Sequence, residues 1–281
     1  MPGKLSHDAY GKSQVRLTKV TRHADHHHLM EVSVDIELEG EFERSYTHGD
    51  NSMLVATDTM KNTVYGLAKQ HNFDSIEQFG QILASHFVTS NNQVRQATVT
   101  LSETPFQRID VDDNPHRHAF VGGGSERRTA TVIVNRERTA ITSGIDGLLV
   151  LKTTDSAFKG FLRDRYTTLK ETGDRIFATI LKLDWTYVTP KVDYNATHAK
   201  ARDAALRVFA ENFSDAVQQT LYQMGEAVLA ACAQINTVEL TMPNKHRLLA
   251  NLESFGLTNE NEIFITTDEP FGVIRGTVKR T

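Results

Sequence analysis

The sequence predicts an α+β protein in which antiparallel sheets carry helices on one face, laid out as two similar units in tandem. Three observations predict it. Met30, Val32, Val34, Ile36 and Leu38 alternate with Glu31, Ser33, Asp35, Glu37 and Glu39, the two-residue period of a half-buried strand. Two helical-period runs follow: Met60, Val64, Leu67 and Ala68 share one face, and the capping-box pair Ser75 and Gln78 precedes Phe79, Ile82, Leu83 and Phe87. The second half then repeats the order strand, strand, helix, helix, strand, strand, with side-chain identity too low for a sequence repeat.

Taken in order, Val15 and Leu17 mark a partner strand for residues 30–38, and Arg22 to His28 form the hairpin connection. After the helices, Ala97, Val99 and Leu101 alternate, as do Ala130, Val132 and Val134, with a loop rich in Asp, Asn, Pro and Gly between them. The second half has strands around Leu148 to Thr153 and Arg175 to Tyr187, then a helix containing Ala201, Ala205, Val208 and Phe209. Another helix starts near Ser214 with Val217, Leu221, Met224, Val228 and Cys232 on its apolar face. Strands containing Val238, Leu240 and Met242, then Ile263 and Ile265, finish the chain. The units are expected over residues 8–140 and 141–281. Helices on one face leave the other face and the sheet edges needing cover, so assembly with further copies is the expected solution.

A chain of 281 residues can bury a sizeable core. Its 35 acidic and 31 basic side chains leave a formal charge of −4, which gives no general attraction to nucleic acid or to an anionic membrane. Any anion site must therefore be local. No apolar run is long enough to span a bilayer, and Met1 to His7 lack the hydrophobic stretch of a signal peptide, so an intracellular protein is expected. The single cysteine, Cys232, excludes an internal disulfide framework and a thiolate metal cluster, and its helical neighbours Val228 and Leu229 predict a buried, inert thiol.

Several motifs are weighed and set aside. The four histidines from His23 to His28 read as a polar hairpin tip, and His116 and His118 share a strand face without a third ligand. Asp110, Asp112 and Asn114 open like a calcium loop, but Pro115 replaces its turn glycine and Val121 its bidentate glutamate. Gly122-Gly123-Gly124 leads into a strand pattern, so no helix N-terminus awaits a phosphate there, and no nucleotide or flavin fingerprint occurs elsewhere. Ala56-Thr57-Asp58-Thr59 differs: an extended segment ends and a helix begins, placing a hydroxyl in the positive field of a helix N-terminus. Taken alone, that pattern is a cap.

Five separated segments change the weighting. Tyr10-Gly11-Lys12, Phe158-Lys159-Gly160-Phe161-Leu162-Arg163-Asp164, Leu169-Lys170-Glu171-Thr172, Ala216-Val217-Gln218 and Pro243-Asn244-Lys245-His246 occur in order and at matching spacing. With them the chain resembles the urate oxidase (uricase) family along nearly its whole length. The resemblance implies two tandem tunnelling-fold units, dimerising into a barrel and stacking into a homotetramer around a central tunnel. It also implies the reaction of urate with dioxygen and water, without cofactor or metal, to give 5-hydroxyisourate and hydrogen peroxide.

The resemblance assigns residues as well. Arg175, otherwise an ordinary arginine, and Gln218 clamp one edge of the planar purine, since a guanidinium fork and a carboxamide match its carbonyl oxygens and ring nitrogens. Val217 adds its backbone N–H, Phe158 lies against the ring face, and Ile274 lines the pocket. Lys12 and Thr57 form a proton-relay dyad, with Asp58 contributing its backbone group at the same corner. An ordinary lysine has a pKa of ~10.4, so acting as a base near neutrality requires a value of about 7. Asn244 holds dioxygen or water above the purine with the Thr57 hydroxyl, and His246, two residues on along a strand, continues the relay through Lys12. Lys12, Thr57 and Asp58 come from one subunit and the clamp from its neighbour, so the site does not exist in a monomer. Eukaryotic members typically end in a peroxisomal tripeptide; this chain ends Val278-Lys279-Arg280-Thr281, which implies a bacterial, cytoplasmic enzyme. Two other classes remain open: a metal-dependent pterin or purine hydrolase of the same fold, and a non-catalytic purine-binding assembly.

Overall fold

The structure, a computed structural model, describes residues 3–267 and 269–281; the first two residues of the N-terminal segment considered above lie outside it. The chain divides into two compact units, Met1–Gly144 with Thr189–Asn195, and Ile145–Val188 with Ala196–Thr281.

In the first unit, β1 (Tyr10–Arg22) and β2 (His27–Gly40) form the expected hairpin, closed by residues 23–26. A short helix not foreseen, α1 (Glu43–His48), precedes α2 (Thr57–Gln70) and α3 (Ile76–Ser90). Then come β3 (Val94–Thr104), β4 (Phe106–Val111), β5 (Asn114–Gly122), β6 (Arg127–Asn135) and the start of β7 (Thr139–Lys152). The sheet order is β1-β2-β3-β6-β7. Met30, Val32, Val34, Ile36 and Leu38 are all buried, as are Met60, Val64, Leu67 and Ala68 of α2 and Phe79, Leu83 and Phe87 of α3. Both predicted periods therefore point into one core. The capping box is half formed: the Ser75 hydroxyl accepts from the Gln78 N–H at 3.2 Å, but Gln78 Oε1 reaches back to the N–H of Asp74 rather than of Ser75.

The segment expected as a loop between β3 and β6 is instead the β4–β5 hairpin. Its turn is carried by Asp112 and Asp113, at φ 51° and 60°, the left-handed conformation that two-residue hairpin turns require and that Asp tolerates. Arginines of this hairpin hold the tip of β1–β2: Arg117 donates to the carbonyls of Asp25 and Ala24 at 2.7 and 2.6 Å, and Arg108 to that of His27. The histidines around that tip form ring contacts, with His27 5.9 Å and His116 4.6 Å from His118.

The second unit contains the end of β7, then β8 (Phe177–Tyr187), α4 (Tyr194–Glu211), α5 (Val217–Ala231) and β9 (Ile235–Pro243). After these come the ribbon β10 (Arg247–Leu249) with β11 (Phe264–Thr266), and β12 (Val273–Lys279). The order is β7-β8-β9-β12. Ile263 and Ile265 thus do not finish the sheet: both are exposed, and β12 takes the place beside β9. Val217, Leu221, Met224, Val228 and Cys232 are buried together, as their spacing predicts. Gly225 lets α5 approach β12, because a Cβ there would stand 2.5 Å from Val278 Cγ2. Cys232 is a free, buried thiol whose pKa burial pushes up, which makes it the inert residue expected. Among the described residues, no helix is long and apolar enough to cross a membrane.

Candidate active site

A cavity of about 490 Å³ opens in the second unit, lined in part by Phe158, Arg175, Gln218, Asn244 and His246, with Val217 and Ile274 also on its wall. Seven of the ten residues singled out from the sequence therefore converge on one hollow. They arrive on five pieces of chain, Val217 with Gln218 on one and Asn244 with His246 on another.

Helix α5 begins at Val217 behind Ala216, whose extended backbone (φ −156°, ψ 152°) suits an N-cap but whose methyl group can accept no hydrogen bond. The first N–H groups of that helix, those of Val217 and Gln218, are thus left without a side-chain cap at the cavity wall. Asn244 sits one residue past the end of β9, where its backbone bridges to Thr179 and its N–H donates to Gly272 O at 2.8 Å. His246 lies beyond the strand, not on it as expected; the Lys245 N–H is drawn to Ala178 O at 2.8 Å, and the chain leaves the sheet. Asn244 and His246 still reach the same cavity. Ile274 enters from β12, paired with Met242.

Arg175 is the most informative member. Its Nε is buried with no hydrogen-bond partner, and burial pulls its guanidinium below the ordinary pKa. A buried guanidinium donor left unsatisfied is costly, and the group stays cationic, so it fits a ligand that brings planar acceptors. Its Cζ lies 5.3 Å from the centre of the Phe158 ring. Among the described residues, Lys170 and Arg247 also line the wall, against one carboxylate, Asp174, which accepts from the Thr154 hydroxyl. The chain's overall negative charge is locally reversed here. The ribbon β10–β11 adds apolar wall through Leu248, Leu249 and Phe264, a contribution the sequence reading missed. The Ile263 and Ile265 alternation signalled the ribbon's strand but not its place.

Lys12, Thr57 and Asp58 do not line this cavity; they belong to the first unit. Thr57 is the first residue of α2 and not its cap, because Ala56 takes the N-cap position. Tyr10 fixes this corner: its hydroxyl accepts from the Val55 N–H at 2.7 Å and donates to Val55 O at 3.2 Å, tying the lead-in of α2 to β1. Gly11 permits the close pairing beside it, since a Cβ there would stand 1.7 Å from Ile36 O. Just after Lys12 the strand bulges, with Gln14 at φ 58° and its N–H on Asp35 Oδ1 at 2.7 Å. The Asp58 carboxylate bonds Lys61 and Asn62 within its own helix and is held below the usual carboxylate range, chiefly by Lys61 and also by the charge of Lys12. Its side chain is thereby occupied, and Thr57, at the first position of α2, is exposed.

A uricase family profile matches residues 8–133 and 141–275. A uricase of Arthrobacter globiformis is 43% identical over 98% of this chain and 90% of its own length, and one of Aspergillus flavus is 42% identical over 97% and 95%. The crystal structure of the Arthrobacter globiformis uricase superposes with a TM-score of 0.95, at 42% identity, covering all of this chain and 96% of that one. A hyperthermostable mutant of the Bacillus sp. TB-90 urate oxidase gives 0.86 at 25% identity, covering 97% and 99%.

Proposed function

The chain belongs to the uricase family and oxidises urate; we propose that it does so with dioxygen and water, without metal or flavin, at a site shared between two copies in a homotetramer. The observation that carries this reading is the buried, unpartnered Arg175 donor in a cavity that also holds Phe158, Gln218 and Asn244.

In this reading the purine lies against Phe158, with its edge on Arg175, Gln218 and the Val217 N–H. From the neighbouring copy, the Lys12 amine accepts the Thr57 proton while Thr57 takes one from bound urate, and the Asp58 backbone completes the corner. The resulting urate dianion is electron-rich enough to give two electrons to dioxygen held at Asn244 and the Thr57 hydroxyl. Water then adds to the oxidised ring, and the protons released pass through His246 and Lys12 to form hydrogen peroxide. One urate, one dioxygen and one water give one 5-hydroxyisourate and one peroxide. The protein supplies orientation and proton transfer in a niche screened from bulk water, with Ile274 on its wall. The cytoplasm suits an enzyme whose one cysteine is a buried thiol.

Oxygen consumption with parallel peroxide detection, on purified protein and urate in chelator-treated buffer, tests the proposal. One oxygen consumed per peroxide formed is the expected result. Activity abolished by chelator and restored by zinc would instead establish the metal-dependent class, and urate binding without oxygen uptake a purine-binding assembly.

A further inference from the structure

The segment carrying Phe158 is closed by contacts nested one inside another. Phe158 and Thr172 exchange two backbone hydrogen bonds, at 2.9 and 3.1 Å. Within that pair, the Gly160 N–H donates to Glu171 Oε1 at 3.1 Å, Arg163 Nη1 to Leu169 O at 3.1 Å, and the Asp164 N–H to the Thr167 hydroxyl at 2.8 Å. Phe158 stands in the neck of this loop with its side chain on the cavity. Gly160, at φ 69°, makes the reversal that brings Phe161 back over Phe158. The two rings are 5.0 Å apart and 13° from parallel, and the Arg163 Cζ lies 5.5 Å from the Phe161 centroid. Phe161 does not itself line the cavity.

A phenyl ring can hold a planar ligand only if its own plane is fixed. With one face of Phe158 against Phe161, the ring cannot swing without breaking a stacked pair, and Phe158 itself lines the hollow beside Arg175. We propose that Phe161 is a positioning residue for urate oxidation: it fixes the plane of the Phe158 ring on which the purine lies. This rests on the reading that Phe158 stacks on the purine. The rings of an aromatic pair are coupled strongly enough to change affinity by about two- to tenfold.

The test is urate affinity of the assembled protein under anaerobic conditions, where urate is bound but not consumed, in a double-mutant cycle. Phe161→Leu keeps much of the volume and loses the plane, and weakens binding by about fivefold. Phe161→Tyr restores the plane and binds within about twofold of the parent. In a Phe158→Ala background, Phe161→Leu has almost no further effect, because the ring it acts through is gone. Phe161→Met serves the same purpose should the leucine variant not fold. Parent-like binding by Phe161→Leu, or an equal loss in both backgrounds, overturns the inference while leaving the site reading intact. Unchanged affinity in Phe158→Ala alone overturns the stacking reading, and this inference with it.

Discussion

Thr57 and Val217 hold the same position in two different helices. Each is the first helical residue behind an alanine, Ala56 or Ala216, whose side chain cannot cap the first turn. A Ser, Thr, Asp or Asn in that position typically stabilises a helix by about 1 kcal/mol relative to alanine. Both helices forgo this at the two corners that the proposed reaction uses.

Ala216→Asp checks whether the uncapped start serves binding. The new carboxylate caps α5 and raises the thermal midpoint, by a gain of about 0.5–2 kcal/mol. It also sets a negative charge beside the place proposed for the urate anion. The expected outcome is a more stable protein whose urate affinity, measured anaerobically, falls by about tenfold. Unchanged affinity would remove the Val217 N–H from the purine clamp.

The roles proposed for three residues separate kinetically. Arg175→Ala removes a charged donor and chiefly weakens urate binding, by about 10- to 100-fold. Lys12→Met and Thr57→Ala leave binding within a few-fold and lower kcat by about 10²- to 10⁴-fold, the range of general acid–base catalysis. Equal loss of binding in all three variants contradicts this division.

Glu77 is fully buried in the first turn of α3, where it accepts from Arg128 Nη2 at 2.8 Å and from the Ser143 hydroxyl at 2.7 Å. The glutamate suits the positive end of the helix, but its removal takes the carboxylate from Arg128 Nη2, leaving Nη1 on Asn195 Oδ1 at 2.6 Å and Nε already without a partner. Glu77→Ala should therefore cost about 3–5 kcal/mol, read as a loss of denaturant midpoint. A cost below about 1 kcal/mol, the level of an exposed pair, refutes the assignment.

Glu103 stands opposite Arg128 across β3 and β6, and its carboxyl is raised above the ordinary range, mainly by burial and further by Glu77, against the opposing pull of Arg128. Between the unfolded value, about 4.3, and the raised folded one, the folded protein keeps a proton that the unfolded chain has lost. Stability from this group therefore falls as pH rises through that window. Glu103→Gln removes the penalty, raising the thermal midpoint at pH 7 and not at pH 3.5. A lower midpoint at pH 7 would mean that the carboxylate's attraction to Arg128 outweighs its burial.

Local periodicity carried most of the secondary structure, because side-chain direction repeats every 2 residues in a strand and every 3.6 in a helix whatever the rest of the chain does. Met30 to Leu38 and Met60 to Ala68 were legible for that reason, and both are buried as their spacing requires. The β4–β5 hairpin escaped because Asp112-Asp113 lacks the glycine by which such turns are usually recognised. The edge strand β12 escaped because Ile274, Gly276 and Val278 give only a weak alternation.

Motifs by themselves determined which residues to watch, from Lys12 and Thr57 to Asn244 and His246, since a family resemblance is written in local sequence. Tertiary structure alone decided that Phe158, Arg175, Gln218 and Asn244 face one cavity, that the Arg175 donor is unpartnered within it, and that Phe161 stacks behind Phe158. It likewise decided that Glu77, a polar first-turn residue by pattern, is buried against Arg128. Burial and unmet hydrogen bonding depend on which distant segments come together. A local period fixes the direction of a side chain but not what it meets.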